Sequence, residues 1–543
     1  MQQQNKKLAS RCKVLIIDDQ ALAHGYIKYP LEQLGFTDLT FIDKLQHAVE
    51  AIKTRSYDII FCAYDIKREK DGYFLYDRLK QENLIPPTTA FIFISADTSS
   101  ELINSILEQQ PDDFLAKPFT IRDLEKRLTR VLMRKRALKN IYHCMNTKKF
   151  EEGLEAAKAF LSNNENLQYF PLALKAKGEM LLALERFEDG KTFYRAVLNV
   201  QNFNWAQIGL IRCLIALDED DEAEKHLLRL AFRPDSQLFA YDLLTELNIK
   251  QENFDTALES AVVASEVSPR NIRRHEKTVD LSRLTHDYQT QFETSKKIVK
   301  AAKNSIYDRP EIYLNVARAG IDFAMTTDEQ QCRVLAKQAE EYLHQFEAVA
   351  DKKAIQQQRD VTQARLYHLQ DEPEQARELL EKLTDEELDA MSTNDLLDRA
   401  KAYHESGMHE KSDELMDLVE QRMVRESQKN PLFARYVSKE KQERHEIKHT
   451  PRELNNSAVK FYKHGNTEEA YKSFSQAFTV MPKNAAIALN LLQTIALKAT
   501  DGQLTGEERK MIDKCIQAIE GGSMDAEQKE RFLKVRNQLD GLR

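Results

Sequence analysis

The sequence predicts an α/β, doubly wound, five-stranded parallel sheet followed by an all-α solenoid of helical hairpins. Two observations predict the sheet. From Lys13 to about Tyr142, short apolar runs alternate with helical patterns. Acidic, hydroxyl and basic residues also stand at the ends of those runs. A third observation predicts the solenoid. From about Asn140 onward strand signals vanish, and apolar residues recur at helical spacing between short turns.

The elements follow in order. Val14-Leu15-Ile16-Ile17 is continuously apolar and ends in Asp18-Asp19. Such runs fit strands buried on both faces of a parallel sheet. Further strand runs are Leu39–Ile42, Tyr57–Cys62, Ala90–Ser95 and Asp113–Ala116. Helical patterns lie between them over Ala21–Leu34, Leu45–Thr54, Tyr73–Gln81, Ser99–Gln109 and Thr120–Leu138. Five β/α units imply a doubly wound sheet that binds ligands at the carboxyl ends of its strands. The expected divisions are 1–125 for the sheet domain, 120–142 for a connecting helix, 143–430 for helical repeats, 431–450 for a charged linker or helix, and 451–543 for C-terminal helices.

The strand-end rule selects a few positions. Asp18 and Asp19 end strand one, Ala63 ends strand three, Ser95 ends strand four, and Lys117 follows strand five. Two carboxylates, a hydroxyl and an ammonium suit Mg²⁺ with a phosphoryl group, because Mg²⁺ takes hard oxygen ligands and cations stabilise phosphoryl oxygens. Singly, each residue could be a helix cap or a surface lysine. Together, with Lys117-Pro118-Phe119, the set resembles a two-component response-regulator receiver domain, which has the flavodoxin-like fold. The resemblance implies that Asp18 and Asp19 hold the metal. It implies that Ser95 and Lys117 line the phosphoryl pocket, that Phe114 is the switch aromatic, and that Lys117-Pro118 is a cis bond.

The phospho-acceptor position differs from that family. In YDIIFCAYDIKREKDG, counting from Asp58 places the acceptor at Ala63. Counting back from Asp71-Gly72 gives Tyr64, or Ala63 with one extra loop residue. A methyl group neither attacks phosphorus nor ligates Mg²⁺, so the metal site is weakened. Three explanations stay open: a natural receiver that works unphosphorylated, an Asp→Ala change in an otherwise active receiver, or Asp65 as an offset acceptor. Asp65 lies beyond the predicted strand end and should point away from the pocket.

In the remainder, NFDTALESAVVASEVSPR places Ala257, Ala261 and Ala264 on one helix face before Pro269. The segment EEAYKSFSQAFTVMPK repeats this with Ala470, Phe474, Ala477 and Pro482. Gly190, Ala223, Ala257 and Gln291 recur at separations of 33, 34 and 34 residues, and weaker units surround Gly153, Ala376 and Ser412. Trp205, Ile208 and Gly209 resemble the opening of a tetratricopeptide (TPR) repeat. That resemblance implies a concave surface for protein recognition. The segment 422–450 is expected to be a long helix or a flexible linker.

Composition narrows the function. A net charge of -8 argues against a general nucleic-acid binder, although the Lys and Arg of 422–450 keep that alternative open. Six scattered cysteines show no metal or disulfide spacing. The N-terminus lacks the apolar run of a signal peptide, and no stretch is apolar enough to span a bilayer, so a cytoplasmic protein is expected. No Walker A, GxGxxG, GxSxG or HExxH motif points to an enzyme. The receiver-plus-repeat arrangement resembles auxiliary response regulators. It implies a sensor histidine kinase or phosphotransfer domain as partner, a second protein on the repeat surface, and dimerisation as a further expectation.

Overall fold

The computed structural model of the chain describes residues 9–64, 66, 72–96, 108–303, 305–349, 355–385, 388–426, 430–501, 504–522, 524 and 526–540. They fall into two compact units. The first is Met1–Arg274 with Ala301–Asp308, and the second is His275–Lys300 with Arg309–Arg543.

The first unit opens with the parallel sheet. Its strands are β1 (Lys13–Ile17), β2 (Asp38–Ile42), β3 (Ile59–Ala63), β4 (Ala90–Ser95) and β5 (Asp113–Ala116), in the order β2-β1-β3-β4-β5. Helices α1 (Ala21–Gln33), α2 (Leu45–Thr54), α3 (Gly72–Gln81) and α4 (Ile121–Ala137) flank it. β3 and β4 are buried along their whole length, as continuously apolar runs require. Strand order reverses between β1 and β3, so the crevice at their carboxyl ends is the ligand position. The third strand begins at Ile59, two residues later than the apolar run suggests, and ends on Ala63. Of the helix expected over 99–109, only Glu108 and Gln109 fall among the described residues, and Asp65 lies outside them.

Helical hairpins complete this unit. The helix expected over 120–142 is two helices, α4 and α5 (Lys139–Asn146), meeting at buried Leu138, whose ψ of 8° leaves the helical range. Then follow α6 (Phe150–Leu161), α7 (Phe170–Ala183), α8 (Phe187–Val200), α9 (Asn204–Ala216), α10 (Asp220–Ala231), α11 (Gln237–Lys250) and α12 (Phe254–Val267). Tyr194 shows why glycine stands in Trp205-x-x-Ile208-Gly209. Its ring passes so near that a Cβ on Gly209 would lie 2.2 Å away, and one on Gly178 would lie 2.5 Å away.

The helices that follow are α13 (Ile272–Leu284), α14 (Tyr288–Ala302), α15 (Pro310–Ala324), α16 (Glu329–Val349), α17 (Gln356–Leu369), α18 (Pro373–Glu381), α19 (Thr393–Glu405) and α20 (His409–Glu426). The last are α21 (Pro431–Glu446), α22 (Pro451–Lys463), α23 (Thr467–Val480), α24 (Ala485–Asp501), α25 (Gly506–Gly521) and α26 (Ala526–Asp540). The ambiguous 422–450 segment is therefore mostly the end of α20 and the whole of α21.

The repeat has a backbone signature. Lys148, Glu185, Asp218, Glu252, His286, Asp371, Gly407 and Gly465 all have positive φ. Each lies five residues before Gly153, Gly190, Ala223, Ala257, Gln291, Ala376, Ser412 and Ala470 respectively, and each of those is the buried fourth residue of the next helix. After each left-handed residue, the following N–H returns to the carbonyl five residues back, as from Arg186 to Leu181 at 3.0 Å and from Asn466 to Phe461 at 3.0 Å. This is the helix-ending motif in which a left-handed residue recaptures orphan carbonyls. Small side chains then let the second helix approach the first. No helix among the described residues is long and apolar enough to cross a membrane.

Candidate functional site

β1, β3 and β4 deliver their last residues to one edge. Asp18 follows β1, and its backbone N–H bonds Ile42 O at 3.2 Å. Its carboxylate is 2% exposed. Asp18 Oδ1 accepts the Gln20 N–H at 3.0 Å, and Oδ2 accepts from Lys117 Nζ at 3.2 Å. Asp19 presents a buried Oδ1 with no hydrogen-bond partner. Ser95 is buried at the end of β4, and its carbonyl accepts the Lys117 N–H at 2.8 Å. The Lys117-Pro118 bond is cis.

Electrostatics here are unbalanced. Burial alone would lower the Lys117 pKa, but the Tyr26 hydroxyl and the Asp18 charge outweigh it and hold the ammonium above its ordinary value. Tyr26 also lies under the ammonium, 5.0 Å from Nζ to ring centre. Sequence reasoning missed Tyr26, because a tyrosine on an otherwise ordinary helix carries no signal. Burial, and then the Asp18 charge, push the Cys62 thiol far above its usual range. Cys62 is therefore a core residue, not a nucleophile.

Ala63, where the count from Asp58 places the acceptor, is the last residue of β3. Its register partner is Ile94, next to Ser95. Beyond it, Tyr64 N–H bonds Ile94 O at 2.9 Å, and Gly72 N–H bonds Tyr64 O at 2.6 Å. A Cβ on Gly72 would stand 2.1 Å from the Ala63 carbonyl oxygen, so the close approach requires glycine. Phe114 pairs in register with Phe93 and is half-buried. The geometry thus brings Asp18, Asp19, Ala63, Ser95 and Lys117 to one edge, with Phe114 one strand away.

The orphan oxygen of Asp19 beside the Asp18 carboxylate fits a hard divalent cation. Asp18 and Asp19 would hold Mg²⁺, and bound Mg²⁺ would neutralise charge on phosphoryl oxygens. Ala63 supplies no carboxylate beside them, and no group of three metal-binding side chains occurs among the described residues.

Helical hairpins of the same unit touch the sheet domain beside this pocket. The Arg270 guanidinium stands 5.3 Å from the Tyr64 ring centre, one residue beyond Ala63. Glu108 accepts from Arg274 at 2.9 Å and also from Ser268 and Asn271. Tyr307 packs edge-on to Phe74 and donates to Asp77 at 3.2 Å.

Comparison with known proteins agrees with this geometry. Residues 14–129 match the family model of the response regulator receiver domain. The transcriptional regulatory protein LytR of Staphylococcus aureus (strain N315) is 30% identical over 120 residues, 22% of this chain and 46% of LytR. The match thus spans about half of that relative's length. The probable chemotaxis protein CheY of Rhizobium etli is 25% identical over 118 residues, covering 22% of this chain and 90% of that protein. Among solved structures, a two-component response regulator from Clostridium difficile aligns at 23% identity with a TM-score of 0.21, covering 23% of this chain and 98% of that one. The N-terminal domain of this chain is a response regulator receiver domain.

Proposed function

We propose that the chain is an auxiliary response regulator. It binds a sensor histidine kinase or a phosphotransfer domain and modulates phosphorelay signalling by protein–protein contact. Its receiver does not itself accept phosphate. The observation that carries this reading is the Ala63 methyl at the end of β3, amid Asp18, Asp19, Ser95 and Lys117. Phosphoryl transfer needs an oxygen nucleophile, and a methyl supplies none.

In this reading the receiver competes for the kinase docking surface. The hairpins, taken as TPR type, bind the kinase or a second protein on a concave face. In this reading the receiver-plus-repeat arrangement resembles that of VieB. Asp18 and Asp19 keep the metal role, Ser95 and Lys117 the phosphoryl-pocket role, and Phe114 the switch role. The protein works in the cytoplasm, with dimerisation as an added feature. The test adds the chain to a histidine kinase and its regulator and follows phosphotransfer. Altered transfer with a measurable complex is expected. No complex and unchanged transfer overturn the reading.

A second reading is a conventional switch whose native acceptor is an aspartate at position 63. It is favoured by the retained Lys117–Asp18 pair and the unpartnered Asp19 oxygen. Ala63→Asp, incubated with acetyl phosphate and Mg²⁺, should then gain a phosphoryl group. No phospho-species would sink it. A nucleic-acid role for 422–450 draws less support, because several of its cations are engaged. Arg422 donates to the Met391 and Leu388 carbonyls, Lys439 donates to the Leu284 carbonyl, and Lys441 pairs with Asp417 and Glu420. Failure to bind RNA or DNA at low salt removes that role.

A further inference from the structure

In the second unit, the α19–α20 hairpin carries a histidine on each side of its turn. His404 lies near the end of α19, and His409 opens α20. Five residues apart is a poor ligand spacing along one helix, where neighbours on a face are three or four apart. Here the chain reverses between them at Gly407, whose φ is 75°. The two imidazole rings come together, with 5.1 Å between centres and 68° between planes.

Other hairpins show what these two places can hold. They lie three residues before and two residues after the left-handed residue of the turn. Around Lys148 they are Met145 and Phe150, around Glu185 they are Leu182 and Phe187, and around Glu252 they are Ile249 and Phe254. An apolar pair brings no polar atoms to satisfy. Of the eight such turns among the described residues, only the one at Gly407 has histidine at both places.

Histidine brings nitrogens. His404 is buried, and its Nε2 lies 2.9 Å from the Ile447 carbonyl oxygen. A carbonyl only accepts, so that nitrogen carries the proton. The Nδ1 of His404 is buried with no hydrogen-bond partner. An imidazolium would need an acceptor there, so the ring is neutral and Nδ1 presents a lone pair. The Nδ1 of half-buried His409 is likewise enclosed and unpartnered. Buried polar atoms in folded proteins are nearly all hydrogen-bonded, and a bound ion is one way to account for exceptions.

The surroundings suit a metal. Metal-ligating histidines fix their tautomer by donating the other ring N–H to a group such as a backbone carbonyl, as His404 does to Ile447. Two imidazoles that share a tetrahedral dication through one nitrogen each have ring centres about 5 Å apart. The cations that act on these rings are themselves answered, Arg444 by Glu440 at 2.9 Å and Lys448 by Asp413 at 3.4 Å. We propose that Nδ1 of His404 and Nδ1 of His409 together bind one divalent transition metal that favours imidazole, such as Zn²⁺. No third metal-binding side chain joins them among the described residues, so water completes the coordination. The metal pins α19 to α20 across the turn. Mg²⁺ favours oxygen, so this site is separate in chemistry from Asp18 and Asp19.

The test uses the full chain, stripped of metal with a chelator, and Zn²⁺ alone as the ligand. Calorimetry should find a site that His404→Gln and His409→Gln each weaken at least tenfold. His409→Phe, which installs the residue found at Phe187, should fold and also lose the site. His344→Gln, at an exposed histidine on α16, should bind Zn²⁺ as the parent does. Protection from diethyl pyrocarbonate needs no variant. Zn²⁺ should slow modification of His409 at least tenfold, Mg²⁺ should not, and His344 should react alike throughout. Equal Zn²⁺ binding by the parent and both glutamine variants would mean adventitious surface binding and overturns the proposal. So does a parent chain that takes up no Zn²⁺, or one that takes it up and leaves His409 unprotected.

Discussion

At the carboxyl edge of the receiver sheet, Lys117 answers Asp18, and an oxygen of Asp19 is left buried without a partner. Among the helices of the second unit, Arg365 alone meets three carboxylates: Asp322, Asp398 and Glu405, each at 2.7 Å. There Arg318 adds Asp395 and Asp398, and Lys401 adds Asp322. Both regions bury ionised groups, and burial is costly unless each charge is answered. The helices answer theirs internally, so their charges specify packing. The receiver leaves its account open, which is what a site for an external cation and an anion requires. Buried charge alone therefore does not mark a functional site.

Removing the hub of the satisfied network should give the largest effect. Arg365→Met leaves three carboxylates short of a cation, and breaking such buried pairs costs about 3–5 kcal/mol. Urea unfolding should show a loss of that size, and a loss below about 1 kcal/mol would mean that water reaches the network. The next effect is pH-dependent. Burial and the nearby Arg444 charge lower the His404 pKa to about 4, although the Ile447 carbonyl opposes them. A histidine depressed in the fold is held neutral there, so its contribution is present above the unfolded value near 6.5. It is lost as pH falls toward 4. Between pH 7 and 5 this group should cost about 2 kcal/mol of stability. His404→Gln should flatten that part of the pH–stability curve, and an unchanged slope would assign the acid sensitivity elsewhere.

The open pocket invites the opposite manipulation. Ala63→Asp adds a third carboxylate beside Asp18 and Asp19, and like charges at one site repel. Without divalent cations the variant should lose about 1 kcal/mol or more. Millimolar Mg²⁺ should restore it, because a ligand bound only by the folded state stabilises it. Melting with and without Mg²⁺ checks this. The parent chain should respond far less. Equal Mg²⁺ responses from both would mean that Asp18 and Asp19 suffice.

How much of this was legible in the sequence follows from what each feature depends on. The strand runs depend on local pattern, and the sheet reproduces them. The small residues at Gly190, Ala223 and Ala257 gave the repeat its period, because close helix approach tolerates few side chains. The left-handed turns five residues earlier were not legible, since Lys148, Glu185, Asp218 and Glu252 are not glycine and carry no local signal. The break at Leu138 was hidden in a continuous helical pattern. The seat of α21 depends on pairs such as Asn430 with Asp280, about 150 residues apart, which periodicity cannot reach. Tyr26 and Arg270 escaped for the same reason: each matters only through a partner placed by the fold.

Arg270 is also where the helical hairpins of the first unit approach the receiver's unfinished pocket, and it should give the smallest effect. Its guanidinium faces the Tyr64 ring, and a cation over an aromatic face contributes about 0.5–1 kcal/mol. Arg270→Ala should therefore lower stability by that amount, and Arg270→Lys should recover part of it. Stability alone would not separate this contact from ordinary packing. The Tyr64 N–H, bonded to Ile94 O, supplies the second readout. If Arg270 steadies the strand end that carries Ala63, exchange at that amide should quicken in the alanine variant while Ile16 in β1 is unaffected. If both amides respond alike, the guanidinium merely adds to the general stability of the fold. If neither responds, the hairpins leave the acceptor strand alone, and the receiver pocket stays open for reasons internal to the sheet.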